Sequence, residues 1–104
     1  MAAVFTLILQ RRLPEFHLPG GADLTVGSSG TKVRQIQQQL ARISQAYPAI
    51  PTIAADGIFG ERTREAVEAF QRIFDLPVSG VVDFPTWYKI SQIYVGVTRI
   101  AELN

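Results

Sequence analysis

The sequence predicts an all-α fold: a small three-helix bundle built on a repeated turn-helix unit and preceded by an extended N-terminal arm. Apolar residues recur at three- and four-residue steps in three separate segments, proline and glycine clusters interrupt those segments, and one turn-into-helix pattern occurs twice. The chain has 104 residues, 47% of them hydrophobic and 18% charged. That is the size and balance of one folded domain with a single core.

The arm comes first. In "MAAVFTLILQRRL" the apolar run over residues 2–9 is too short to span a bilayer and lacks the positive residues that precede an export signal. Its alternation, with Phe5, Leu7 and Leu9 against Val4, Thr6 and Ile8, reads as a short strand or an extended segment. Residues 10–26 hold Pro14, Pro19 and the Gly20-Gly21 pair with no helical period. Residues 1–23 are therefore assigned to an arm or linker and 24–104 to the helical domain.

The first helix is expected over 31–46, where Val33, Ile36, Leu40 and Ile43 form one apolar stripe. Pro48 and Pro51 end it and force an extended connection, because proline fixes its own backbone and restricts its predecessor. A second helix is expected over 61–74, with Ala66, Val67, Phe70, Ile73 and Phe74 on one face. Glu61 and Glu65 lie toward its positive N-terminal end, and Glu68 and Arg72 stand in the favourable i, i+4 order. After the break at "DLPVSGVV", Asp83, Phe84 and Pro85 read as cap and first turn of a third helix reaching Leu103. Its face carries Trp87, Ile90, Tyr94, Val97 and Ala101, widened by Ile93 and Ile100. None of the three stripes can be satisfied alone, which is what makes a bundle.

The echo is specific. "DGIFGERTREAV" from Asp56 overlies "SGVVDFPTWYKI" from Ser79, matching Gly57 with Gly80, Ile58 with Val81, Thr63 with Thr86 and Val67 with Ile90. A partial third echo repeats Val33, Ile36 and Gln37 as Val67, Phe70 and Gln71. Catalytic groups are seldom duplicated at equivalent positions of one small core, so the repeat points to a scaffold.

Composition narrows the chemistry. The net charge is +1 and the basic residues are scattered, which gives little attraction to nucleic acid or an anionic membrane. With no cysteine and one histidine, His17 in the arm, no metal site and no nucleophile setting is recognisable. Asp56 in the "DGIFG" turn could be an acid or a calcium ligand, but the stretch lacks the several oxygens calcium needs, and the residue reads as fastening its own loop. Gly57 suits a positive backbone angle, and Gly60 lets the chain enter the helix with no side chain in the way. Gln37 and Gln71 border the core at matching positions, where each amide either contacts a polar ligand or bonds a neighbouring turn. Phe59, Phe70 and Trp87 read as core, whereas Tyr88, Tyr47 and Phe84 are candidates for an exposed stacking surface.

Taken together, "LTVGSSGTKVRQIQQQL", "DGIFGERTREAVEAFQ" and "LPVSGVVDFPTWYKI" resemble the peptidoglycan-binding domain family of bacterial wall-associated proteins. The shared pattern is a glycine pair before helix 1, Val-x-x-apolar-Gln within it, Asp-Gly-x-Phe-Gly-x-x-Thr before helix 2, Ala-Val-x-x-Phe-Gln within it, and Gly-x-x-x-x-x-Thr entering helix 3. The likeness covers about residues 24–94. "YPAIPTI" and the long ending further resemble a subgroup of spore-forming Gram-positive bacteria. Departures are Asp75 where the family commonly has glycine, Ser79 where the second turn often has aspartate, and Asp83 where glycine is frequent.

The resemblance implies a noncatalytic module that binds peptidoglycan or a muropeptide at the cell wall or outside the cell, without cofactor or metal. It also implies a fused or associated wall hydrolase as partner. The ligand-binding set it suggests, beside the first repeated turn and the ends of helices 1 and 2, is Gln37, Asp56, Phe59, Arg62, Gln71 and Tyr88, with Asp56 and Phe59 mainly shaping the loop. A protein-interaction or spore-structural module built on the same bundle is the alternative of a different class.

Overall fold

The computed structural model describes residues 23–103. Residues 1–22 of the predicted arm (1–23), and the surroundings of the Ile100 and Ala101 side chains expected on the third face, lie outside the described residues. Three helices follow in order: α1 (Thr31–Ala46), α2 (Glu61–Ile73) and α3 (Phe84–Leu103). Phe74 is the C-cap of α2 rather than its last helical residue.

The helices exist because of what they bury. Val33, Ile36, Leu40 and Ile43 of α1, Ala66, Val67 and Phe70 of α2, and Trp87 and Ile90 of α3 form one core. Burying a side chain of the Val, Leu, Ile or Phe class is worth about 1.5–3 kcal/mol. An isolated helix the length of α2 would be marginal in water, so this packing, more than local propensity, holds it. α1 packs mainly on α3 and more lightly on α2.

The connections contribute as much as the stripes. Ile50 and Ile53 of the proline-bounded link between α1 and α2 are buried, although that link carries no helical period. Residues 24–30 lace the two echoed turns together through backbone pairs. Leu24 and Val82 exchange N–H to O bonds of 3.1 and 2.8 Å, Gly27 N–H donates to Phe59 O at 2.9 Å, Phe59 N–H to Ser28 O at 2.9 Å, and Gly30 N–H to Gly57 O at 2.9 Å.

Helix ends differ in their devices. Asp83 caps α3, its Oδ1 accepting from Thr86 N–H at 3.0 Å, as the sequence predicted. α2 ends with Asp75 at φ 61° and with Leu76 N–H returning to Gln71 O at 2.8 Å, a left-handed C-terminal cap of the kind that favours glycine. Two local expectations fail. Gly60 is extended at φ −106°, and an added Cβ would meet nothing within 4 Å, so no steric reason reserves that position for glycine. Glu68 pairs with Arg64 at 3.3 Å rather than with Arg72, because Arg64 and Glu68 both lie over Gly80 of the second turn.

Candidate functional site

Each repeated turn is held by one glutamine from the preceding helix. Gln37 reaches out of α1 into the first turn, where Nε2 donates to Asp56 Oδ1 (3.1 Å), Ile58 O (2.9 Å) and Thr63 Oγ1 (3.0 Å), while Oε1 accepts from Gly57 N–H (2.8 Å). Gln71 does the same from α2 in the second turn. Its Nε2 donates to Ser79 Oγ (3.2 Å), Val81 O (3.1 Å) and Thr86 Oγ1 (3.1 Å), and its Oε1 accepts from Ser79 N–H (3.0 Å) and Gly80 N–H (2.9 Å). The two amide hydrogens of each side chain are shared among three acceptors, so neither glutamine has a donor left over for a ligand.

The turns close on glycine for a geometric reason. Gly57 and Gly80 have φ of 78° and 74°, in the left-handed region where a Cβ is costly. At Gly80 a Cβ would also stand 2.9 Å from Arg64 Cγ. One difference separates the copies. Asp56 supplies a carboxylate that accepts from Ile58 N–H at 3.0 Å, and this bond, with the Gln37 amide second, holds its carboxyl below the usual aspartate range. Ser79 supplies a neutral hydroxyl, accepting from Val81 N–H at 3.2 Å.

The six predicted residues thus separate. Gln37, Phe59 and Gln71 are buried, each no more than 1% exposed, and stand inside the scaffold. Asp56 is exposed but engaged in its own loop, and Arg62 projects to solvent from the first turn of α2. Tyr88 is half-buried and lines an open groove of about 410 Å³ together with Phe74, Leu76, Phe84, Pro85, Lys89 and Gln92. That groove lies beside the second turn, between the end of α2 and the start of α3, and none of the other five candidates lines it. Its aromatic wall is tied together: Phe84 lies 5.6 Å from Trp87 and 6.1 Å from Tyr88 between ring centroids, and Phe74 is packed between Phe70 at 4.6 Å and Tyr47 at 5.1 Å. Tyr47 is therefore part of the support. Phe84 is 54% exposed.

Among the described residues no group of three or more His, Cys, Asp or Glu side chains could hold a metal ion. Nor is any helix among them long and apolar enough to cross a membrane.

The chain has known relatives. The family profile of the peptidoglycan binding domain matches residues 29–90, from the last residues before α1 to the buried Ile90 of α3. The chain belongs to the peptidoglycan-binding domain family. A zinc D-Ala-D-Ala carboxypeptidase of Streptomyces albus G is 39% identical over 71 residues, which is 67% of this chain but 26% of that protein. The domain therefore spans about a quarter of the length of the curated relative it matches. Among solved structures, the SleB N-terminal domain superposes with a TM-score of 0.61 at 29% identity, covering 72% of this chain and 96% of that one. A fused Zn-dependent amidase/peptidase/peptidoglycan-binding domain-containing protein of Clostridium acetobutylicum ATCC 824 superposes with a TM-score of 0.59 at 31% identity, over 67% of this chain and 29% of that one. The family-matched stretch of this peptidoglycan-binding domain, residues 29–90, includes both glutamine-held turns.

Proposed function

We propose that this domain is a noncatalytic anchor that holds a longer protein, or a wall hydrolase joined to it, against peptidoglycan at the cell wall. The observation that supports it best is the composition of the groove: aromatic and apolar walls, one ammonium and one carboxamide, with no carboxylate among its seven lining residues. Such a surface can hold a ligand but offers no acid–base pair for hydrolysis. Tyr88 contacts the ligand there, and Arg62 is available as a second polar contact on the surface. Gln37, Asp56, Phe59 and Gln71 act indirectly, by fixing the turns from which those surfaces are built. Retention on the wall follows from many repeated ligands in one polymer and does not need tight single-site binding. Relatives that carry peptidase or amidase names support an attached hydrolase. Co-sedimentation with purified insoluble peptidoglycan tests the proposal: the domain is expected in the pellet, and pelleting no greater than that of an unrelated domain of similar size and charge would refute it.

A further inference from the structure

We infer that the groove beside the second turn takes the free carboxylate end of a peptidoglycan stem peptide, with Lys89 as its charge partner, rather than a glycan strand. This rests on the peptidoglycan reading above and specifies which part of the polymer is met. Three features of the groove select a peptide. Its floor and walls are Phe74, Leu76, Phe84 and Pro85, surfaces suited to the methyl and methylene groups of short aliphatic residues. Its polar members, Tyr88, Lys89 and Gln92, follow along one helix. Among the described residues Lys89 has no ion-pair partner, since the ion pairs found all belong to Arg64 with Glu61 and Glu68. The ammonium thus stands beside an apolar trough with its charge uncommitted. A carboxylate on an aliphatic chain satisfies both, whereas an uncharged sugar face leaves the ammonium unused.

The groove is also pre-organised. Phe84 and Pro85 sit in the first turn of α3, where Asp83 caps the helix and proline fixes its own backbone angle. The ring of Phe84 is held between Trp87 and Tyr88. An exposed aromatic fixed in this way loses little freedom when it is covered. The volume of about 410 Å³ lies in the small-ligand range of roughly 300–1,000 Å³.

The test is competitive release from insoluble peptidoglycan by three soluble probes: a synthetic stem peptide with free carboxylates, the same peptide fully amidated, and peptide-free glycan strands whose lactyl carboxylates are amidated. The free-acid peptide is expected to release the domain at concentrations about threefold to tenfold lower than the amidated one, the span of a partly exposed charge-assisted contact, and the glycan strands to release none. Lys89→Gln should erase the difference between the two peptides, and Lys89→Arg should restore it, with the unfolding midpoint of both variants unchanged. Release by glycan strands, or equal release by both peptides, overturns the inference while the domain's retention still supports wall binding. Absence of retention before any probe is added overturns the wall-binding reading itself, and the inference with it.

Discussion

Replacing Gln71 by leucine keeps the bulk of the side chain and removes its amide, which isolates what the amide contributes. Gln71 is 0% exposed, and its loss strands two groups that water does not reach, the Gly80 N–H and the Thr86 hydroxyl. Ser79 and the Val81 carbonyl lie nearer the surface and can be rehydrated. Each orphaned buried group costs about 1–3 kcal/mol. The threonine oxygen loses a donor while its own O–H stays free to bond elsewhere, and leucine gains apolar burial, so the net loss is set at about 2–3 kcal/mol. For a domain of this size that lowers the melting temperature by on the order of 10–20 °C. Gln37→Leu should cost less, about 1–2 kcal/mol, because Asp56 and Ile58 are exposed and only Thr63 is left in the core. Urea unfolding followed by circular dichroism and by the fluorescence of Trp87, the only tryptophan and the neighbour of Thr86, reads both numbers. If Gln71→Leu unfolds within about 0.5 kcal/mol of the parent yet no longer pellets with peptidoglycan, the glutamine is a ligand group and the turn-holding account fails.

Other substitutions test single geometric statements. Asp75→Gly, at φ 61° after α2, should stabilise by about 0.5–1 kcal/mol, since glycine occupies a left-handed C-cap without strain; a loss of stability in urea unfolding would contradict the cap. Gly80→Ala should destabilise by about 1–2 kcal/mol or more, and more than Gly57→Ala, because only at Gly80 does the new Cβ approach within 3.0 Å of a neighbour; equal midpoints would count against the Arg64–Glu68 cover. Asp56 has a lowered pKa in the folded state, so its contribution is fully present above the ordinary value of 3.8 and is lost as pH falls through the folded value. Acid should therefore loosen the first turn before the second, seen as faster amide exchange at Ile58 than at Val81, and Asp56→Ser should abolish that acid step.

The helices were legible because their stripes are local. Val33 to Ile43, Ala66 to Phe70 and Trp87 to Ile90 announce their faces by spacing alone, and the proline link and the Asp83 cap mark where helices stop and start. The core residues Ile50 and Ile53 were not legible, since an extended link has no period that marks a buried side. The roles of Gln37 and Gln71 were half visible: a polar residue repeated inside an apolar stripe, together with repeated Gly57/Gly80 and Thr63/Thr86, signals an internal network, but which turn each amide enters depends on how the helices cross. The groove depends on that crossing too. Phe74, Phe84, Tyr88 and Lys89 come from the end of one helix and the start of the next, so no sequence period groups them, whereas the family resemblance draws attention to the more typical first turn. Glu68 had two arginines in reach along its own helix, and packing over Gly80, a tertiary effect, selected Arg64.

In this domain the repeated polar residues build the turns, and the surface beside them is the part proposed to meet the wall. Titrating the isotope-labelled protein, residues 1–104, with soluble muropeptide and following its NMR spectrum tests this directly. Shifts are expected at Tyr88, Lys89 and Gln92, with the side-chain amide signals of Gln37 and Gln71 unmoved. Dominant shifts at those two amides, with the groove residues silent, would contradict it.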